Sequence, residues 1–170
     1  MQRVMVLGGP GSGKSTLARE LGDRTGLPVY HVDQIIWTPG WVMRSTHESA
    51  QIARGIEARD SWLFDGFLTV TWPTRAARAD TLIWLDLPIG LRVWRTLKRL
   101  AQNFGRVRPD MAKGCPEQVS GEFIGFLWWM WQTRTTHRRE IATLIKDHPH
   151  LHVHHLRARK AVTQFLEDAE

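Results

Sequence analysis

Cysteine is almost absent from this 170-residue chain: Cys115 stands alone. An internal disulfide is therefore excluded, and so is a zinc site built mainly on thiolates. Long apolar runs are missing too. Ahead of a glycine-rich turn the start offers only Val4–Leu7, too little for a signal peptide. The longest apolar stretch, Phe123–Trp131, is interrupted by Gly125 and falls well short of the ~20 residues that span a membrane. A soluble, cytoplasmic protein without membrane contact is the expectation. No internal repeat or low-complexity linker divides the sequence, which points to one domain over 1–170. Acidic residues are fewer than basic ones, 17 against 23, leaving a net charge of +6. That excess suits either a polyphosphate gripped by arginines or a nucleic acid.

Glycine is concentrated where it is most informative. Gly8-Gly9-Pro10-Gly11-Ser12-Gly13-Lys14-Ser15-Thr16 fits G-x-x-x-x-G-K-[ST] in full. The apolar, β-prone run Arg3–Leu7 precedes it and the helix former Leu17–Leu21 follows. A phosphate-binding loop needs this strand–loop–helix order. Its glycines let backbone N–H groups converge on phosphate oxygens, and the helix adds its positive end. Lys14 then reaches the β/γ-phosphates and the Ser15 hydroxyl binds Mg²⁺. A bare glycine turn between strand and helix is the bland alternative. The loop implies ATP or a similar triphosphate, and leaves open where the γ-phosphate goes.

Beyond the loop the pattern alternates. Val29–Val32 reads as a second strand ending at Asp33, and Ser45–Arg59 as a helix with Ser45 as N-cap and Glu48 closing a capping box. Trp62–Phe64 reads as a third strand ending at Asp65-Gly66, and Thr81–Leu87 as a fourth, buried one. Pro88–Leu100 reads as a helix, 103–116 as a loop, and Glu117–Lys146 as one long helix with a possible interruption near Gly121 or Gly125. Leu151–Leu156 and Ala158–Asp168 supply a fifth strand and a closing helix. Such alternation makes an α/β domain of three layers with a parallel five-stranded sheet. Its ligands belong outside the C-terminal strand ends, on the rim that carries the loop, Asp33, Asp65 and Asp86.

Asp65 and Asp86 each end an apolar strand, where a second anchor for magnesium is expected; either also serves as a turn or helix cap. Asp33 is placed to orient or deprotonate an acceptor hydroxyl, or simply to close a turn.

His31-Val32-Asp33, Trp37-Thr38-Pro39-Gly40-Trp41, Phe64-Asp65-Gly66 and the segments Arg108-Pro109-Asp110 and Gly114-Cys115 join the loop in a wider match. Over nearly the whole chain the sequence resembles the adenylate kinase superfamily, and within it the small P-loop proteins known as DNA topology modulation proteins. The resemblance implies a strand order of 2-3-1-4-5, an acceptor-binding insertion over about 33–60 and a mobile lid over about 100–117. It favours Asp65 over Asp86 as the carboxylate beside magnesium. One departure is plain: Asp65-Gly66-Phe67 continues with Leu68-Thr69-Val70, without the Pro-Arg by which adenylate kinases hold the acceptor phosphate.

Arg92, Arg95 and Arg99 are spaced to share one helix face, and Arg106 and Arg108 lie in the loop that follows. Arg95, Arg99 and Arg108, then Arg134 and Arg138 on the next helix, are the candidates to close over a triphosphate; a solvated basic face is the alternative. Trp37 and Trp41 form either an aromatic wall for the acceptor or a loop anchor. The apolar run 123–131 suggests a buried helix or, more sharply, a homodimer contact; monomer and homodimer both stay open. His148, His150, His152, His154 and His155 lack nearby cysteine and supporting carboxylates, so a metal site there is not expected. The reading is of a phosphotransferase using ATP and Mg²⁺ on a small acceptor. Its alternatives are a nucleic-acid-binding protein switched by ATP and a slow ATPase.

Overall fold

The computed structural model describes residues 1–119 and 121–169. β1 (Arg3–Leu7) leads into α1 (Lys14–Thr25), followed by β2 (Val29–His31) and α2 (Val32–Ile36). A small hairpin, β3 (Trp37–Thr38) and β4 (Val42–Met43), precedes α3 (Thr46–Glu57) and β5 (Trp62–Asp65). A 3₁₀ turn enters α4 (Trp72–Arg78), then come β6 (Thr81–Leu85), α5 (Ile89–Asn103), α6 (Gly121–Gln132) and α7 (Arg134–Asp147). β7 (His152–Leu156) and α8 (Arg159–Asp168) finish the chain.

Five strands form a parallel sheet in the order β2-β5-β1-β6-β7. With the hairpin set aside, this is the order the resemblance implies. Side chains alternate across the sheet as strand geometry requires. Val4, Val6, Leu63 and Ile83 face Leu17, Ala18 and Leu21 of α1 and Leu166 of α8. Met5, Phe64 and Leu82 face the other layer: Ala53 of α3, Trp72 and Ala76 of α4, and Ile141 and Leu144 of α7. Each such side chain, fully buried, contributes about 1.5–3 kcal/mol, so the two faces carry most of the stability. The central position of β1 holds the glycine loop on this rigid platform.

The α3 start is as expected: Ser45 Oγ accepts from the Glu48 N–H at 3.2 Å, and Glu48 Oε2 accepts from the Ser45 N–H at 3.3 Å. Other boundaries shift. Val32 and Asp33 belong to α2, not to β2, so Asp33 sits in a helical first turn. The fourth strand stops at Leu85, leaving Asp86 in the loop beyond. The expected helix over 117–146 includes position 120, which lies outside the described residues. The rest is two helices broken at Thr133, whose Oγ1 donates to the Trp129 carbonyl at 2.8 Å and competes with the helical pattern there.

Burial of the 123–131 run is a correction. Met130 is fully buried, but Ile124, Trp128 and Trp131 are 75%, 61% and 48% exposed. The sheet face on that side is already covered by α3, α4 and α7, so α6 packs on α5 and α7 instead. No described helix is long and apolar enough to cross a membrane.

Candidate active site

The loop between β1 and α1 is shaped from outside by α5. Arg92 Nε donates to the Pro10 carbonyl at 2.9 Å, and Arg95 Nη1 to the Ser12 carbonyl at 3.0 Å. The approach is close enough to require glycine at two positions. A Cβ on Gly9 would lie 1.9 Å from Arg92 Nη2, and one on Gly11 2.2 Å from the Arg92 carbonyl oxygen. Gly11 also has φ +72°, in the left-handed region. With Pro10 and Ser12 carbonyls held toward α5, the loop is braced in one conformation.

Lys14, Ser15 and Thr16 form the first turn of α1. Lys14 Nζ folds back on the Gly9 carbonyl at 3.3 Å. Burial lowers its pKa from the ordinary lysine value; Asp65 and Asp33 oppose the fall, while Arg92 and Arg99 add to it. The ammonium therefore sits in surroundings short of negative charge, which a polyphosphate supplies.

Asp65 ends β5 directly beside His31 in the β2–β5 register, and His31 Nδ1 lies 2.7 Å from Asp65 Oδ1. Both are buried. Burial alone depresses an imidazole, but here the hydrogen bond and charge of Asp65 outweigh it and raise the His31 pKa. Asp33 lies on the same rim. Burial raises its pKa, with Lys14 and Arg108 opposing and Asp65 and Asp110 reinforcing the rise.

The loop after α5 is docked rather than free. Gln34 Nε2 donates to the Pro109 carbonyl at 2.8 Å, Trp41 Nε1 to Pro116 at 2.9 Å, and the Gly40 N–H to Gly114 at 2.9 Å. Met111, Ala112 and Cys115 pack against Trp37 and Trp41. Within this loop Arg108 pairs with Asp110 and lies 2.6 Å from Glu117, which also faces Arg99 at 3.3 Å. Arg19 completes the cluster, 3.8 Å from Asp110. Glu117 and Asp110 thus hold the guanidinium groups expected to grip phosphate.

These parts line one cleft of ≈ 1520 Å³. Pro10–Thr16, Asp33, Asp65, Arg95, Arg99 and Arg108 all border it. Gly8 and Gly9 lie in its floor, buried behind the loop. Arg134 and Arg138 do not reach its wall, against expectation. Arg134 lies over the Trp131 ring and donates to the Trp131 carbonyl, capping the end of α6. Arg138 Nε donates to Asp86 Oδ1 at 2.6 Å, and His155 binds the other oxygen at 3.1 Å. Those partners hold Asp86 below the usual carboxylate range, against its burial, and hold both residues outside the cleft.

The other histidines are dispersed. His148 and His150 bind the Leu144 and Ala76 carbonyls, and His150 precedes β7 rather than sharing a strand face with His152 and His154.

His31, Asp110, Glu117 and His137 are absent from the sequence-based candidates. His31 has a visible signal, a polar residue closing an apolar strand beside Asp33. Glu117 has none, since its partners lie nine and eighteen residues upstream across a loop.

No protein-family model matches the chain, and no curated protein sequence matches it. Among solved structures the chain is similar to the shikimate kinase of Acinetobacter baumannii in complex with shikimate. The TM-score is 0.60, over 98% of this chain and 90% of that one, at 16% sequence identity. The chain has the α/β fold of a P-loop kinase, with a five-stranded parallel sheet.

Proposed function

We propose that this protein is an ATP-dependent phosphotransferase acting on a small hydroxyl-bearing acceptor. The observation that carries the reading is a braced phosphate loop with Lys14 that shares one cleft with the carboxylate of Asp33. The acceptor hydroxyl oxygen forms a bond to the γ-phosphorus as the β,γ-bridging P–O bond breaks. ADP leaves, and the hydroxyl proton passes to Asp33. Lys14 and the loop N–H groups hold the β- and γ-phosphates. Arg95, Arg99 and Arg108 face the charge that spreads over the transferring group. Positioning supplies most of the rate, and the docked 100–117 loop keeps water away.

The donor set suits magnesium. The Ser15 hydroxyl lies in the first turn of α1, and Asp65 commits Oδ1 to His31, leaving Oδ2 for a hard cation that prefers oxygen. When bound, Mg²⁺ neutralises charge on the triphosphate. In this reading 1–170 is one domain, with 33–60 serving the acceptor and 100–117 serving as lid. The narrower likeness to DNA topology modulation proteins and a cytoplasmic location, where ATP is supplied, belong to the same proposal. The nucleic-acid alternative is weakened because Arg99, Arg108 and Arg138 are already paired with carboxylates.

The test is an acceptor screen with ATP and Mg²⁺, shikimate included, following ADP and phosphorylated product. Transfer to a defined acceptor that is lost in Lys14→Ala supports the reading. Phosphate appearing only on water across the panel overturns it in favour of an ATPase.

A further inference from the structure

The sheet order divides the cleft about the phosphate loop. The half over β6 and β7 is walled by Trp94, Arg95 and Lys98 of α5 and by Arg159 of α8, a cationic half suited to a nucleotide. The half over β5 and β2 holds Asp33 and is walled by Ile36, Trp37, Trp41, Phe67 and Val70. No lysine or arginine occurs in the sequence over 33–43 or 60–74. Arg44, the first cation beyond the hairpin, donates Nε to the Ile35 carbonyl at 2.9 Å and does not line the cleft. The cations nearest Asp33 are committed: Lys14 to the donor phosphates, Arg99 and Arg108 to Glu117, Arg19 and Arg108 to Asp110.

The same half is rich in flat faces. Trp37 and Trp41 meet edge to face at 5.3 Å. Opposite, Phe67 lies 4.4 Å from His137, which continues through Trp129 to Phe126. Trp41 is held at φ +62°, a conformation costly for a bulky side chain, and no other described non-glycine residue shares that region. A glycine would adopt it freely, so an indole kept there points to use of the ring.

We infer that the acceptor is an uncharged alcohol with a planar or apolar body, bearing neither phosphate nor carboxylate. The inference rests on the phosphotransferase reading above and narrows it. An acceptor phosphate would enter a wall that already carries Asp33 and Asp65 and offers no uncommitted cation among the described residues, so it would lose water without gaining a partner. A planar alcohol would instead slot between aromatic faces with its hydroxyl at Asp33.

The experiment uses the full chain with the donor site saturated by Mg²⁺ and a non-hydrolysable ATP analogue. Tryptophan fluorescence follows binding of the common nucleosides, their 5′-monophosphates, benzyl alcohol and hydroxybenzoate. Neutral compounds are expected to bind at least about tenfold more tightly than their anionic counterparts. Val70→Arg, at a half-exposed position of this wall, is expected to raise monophosphate affinity about tenfold and leave nucleosides unchanged. Monophosphates binding as tightly as nucleosides in the wild type overturns the inference. So does a panel in which no neutral compound binds at millimolar concentration, or a Val70→Arg protein that gains nothing. Phosphoryl transfer to a phosphorylated acceptor overturns it while leaving the phosphotransferase reading intact; neutral compounds that bind but are never phosphorylated do the reverse.

Discussion

The two halves of the cleft share one loop and one sheet, yet α5 and α8 bring cations while α2 and the hairpin bring rings and a carboxylate. The contrast teaches that the donor and acceptor sides are built by different physics. On the donor side charge is matched by charge, and arginines also hold the loop backbone in shape. On the acceptor side flat apolar area does the holding, and a single carboxylate supplies direction. The 109–117 loop straddles both, pinned to the hairpin by hydrogen bonds and to α5 by Glu117.

The largest expected effect breaks the donor side. Lys14→Ala should lower ADP formation by about 10³-fold, the scale of losing a principal charge stabiliser, with an unchanged thermal midpoint. Retained turnover would show that the loop is not where phosphate is handled.

Next comes the acceptor side alone. Asp33→Asn should lower kcat by about 10²–10⁴-fold while ATP affinity stays within about twofold. Because burial raises the Asp33 pKa, the acid limb of kcat/KM should sit above the ordinary carboxylate value of 3.8 in the wild type. An equal loss of ATP binding would dissolve the division between the halves.

The straddling loop is tested by Arg108→Met. Removing that guanidinium leaves Glu117 and Asp110 buried beside each other, a loss of about 3–5 kcal/mol that thermal unfolding should register. Arg134→Ala, outside the cleft, should change ADP formation by less than about twofold. A large activity loss there would mean that α7 swings inward during turnover.

The smallest effect concerns His137 on the aromatic row. Burial lowers its pKa, with Arg92 and Lys14 adding to the fall. The unfolded chain therefore takes up that proton first. The stability held by neutral His137 is complete above about pH 6.5 and is lost as pH falls toward the lower folded value. Urea midpoints for His137→Phe should accordingly vary less than the wild type between neutral and mildly acid pH; equal slopes would show the ring to be solvated.

Much of the donor side is legible from residue order. A glycine loop between an apolar strand and a helix former admits few alternatives, and Ser45 with Glu48 announces the α3 start by chemistry that acts over three residues. The apolar strands Trp62–Asp65 and Thr81–Leu85 stand out because both of their faces are buried. The acceptor side is harder to read. The five-residue α2 is too short for helical periodicity to show, so Asp33 reads as a strand end. The two-residue strands of the hairpin leave no alternation to detect. Arg134 and Arg138 share the charge and spacing of useful arginines, and only their partners, Trp131 and Asp86, take them away from the cleft.

By itself the sequence determined the loop, the alternation of strands and helices, and the rim on which Asp33 and Asp65 stand. These follow from contacts between near neighbours and from strand and helix periods, which any stretch of the chain carries within itself. Tertiary structure alone decided which arginines meet the cleft, that Glu117 and Asp110 occupy two of them, that His31 holds Asp65, and that α6 stays exposed. Each of those depends on residues far apart in the chain competing for the same partner or the same face of the sheet, and that competition is settled only when the layers pack.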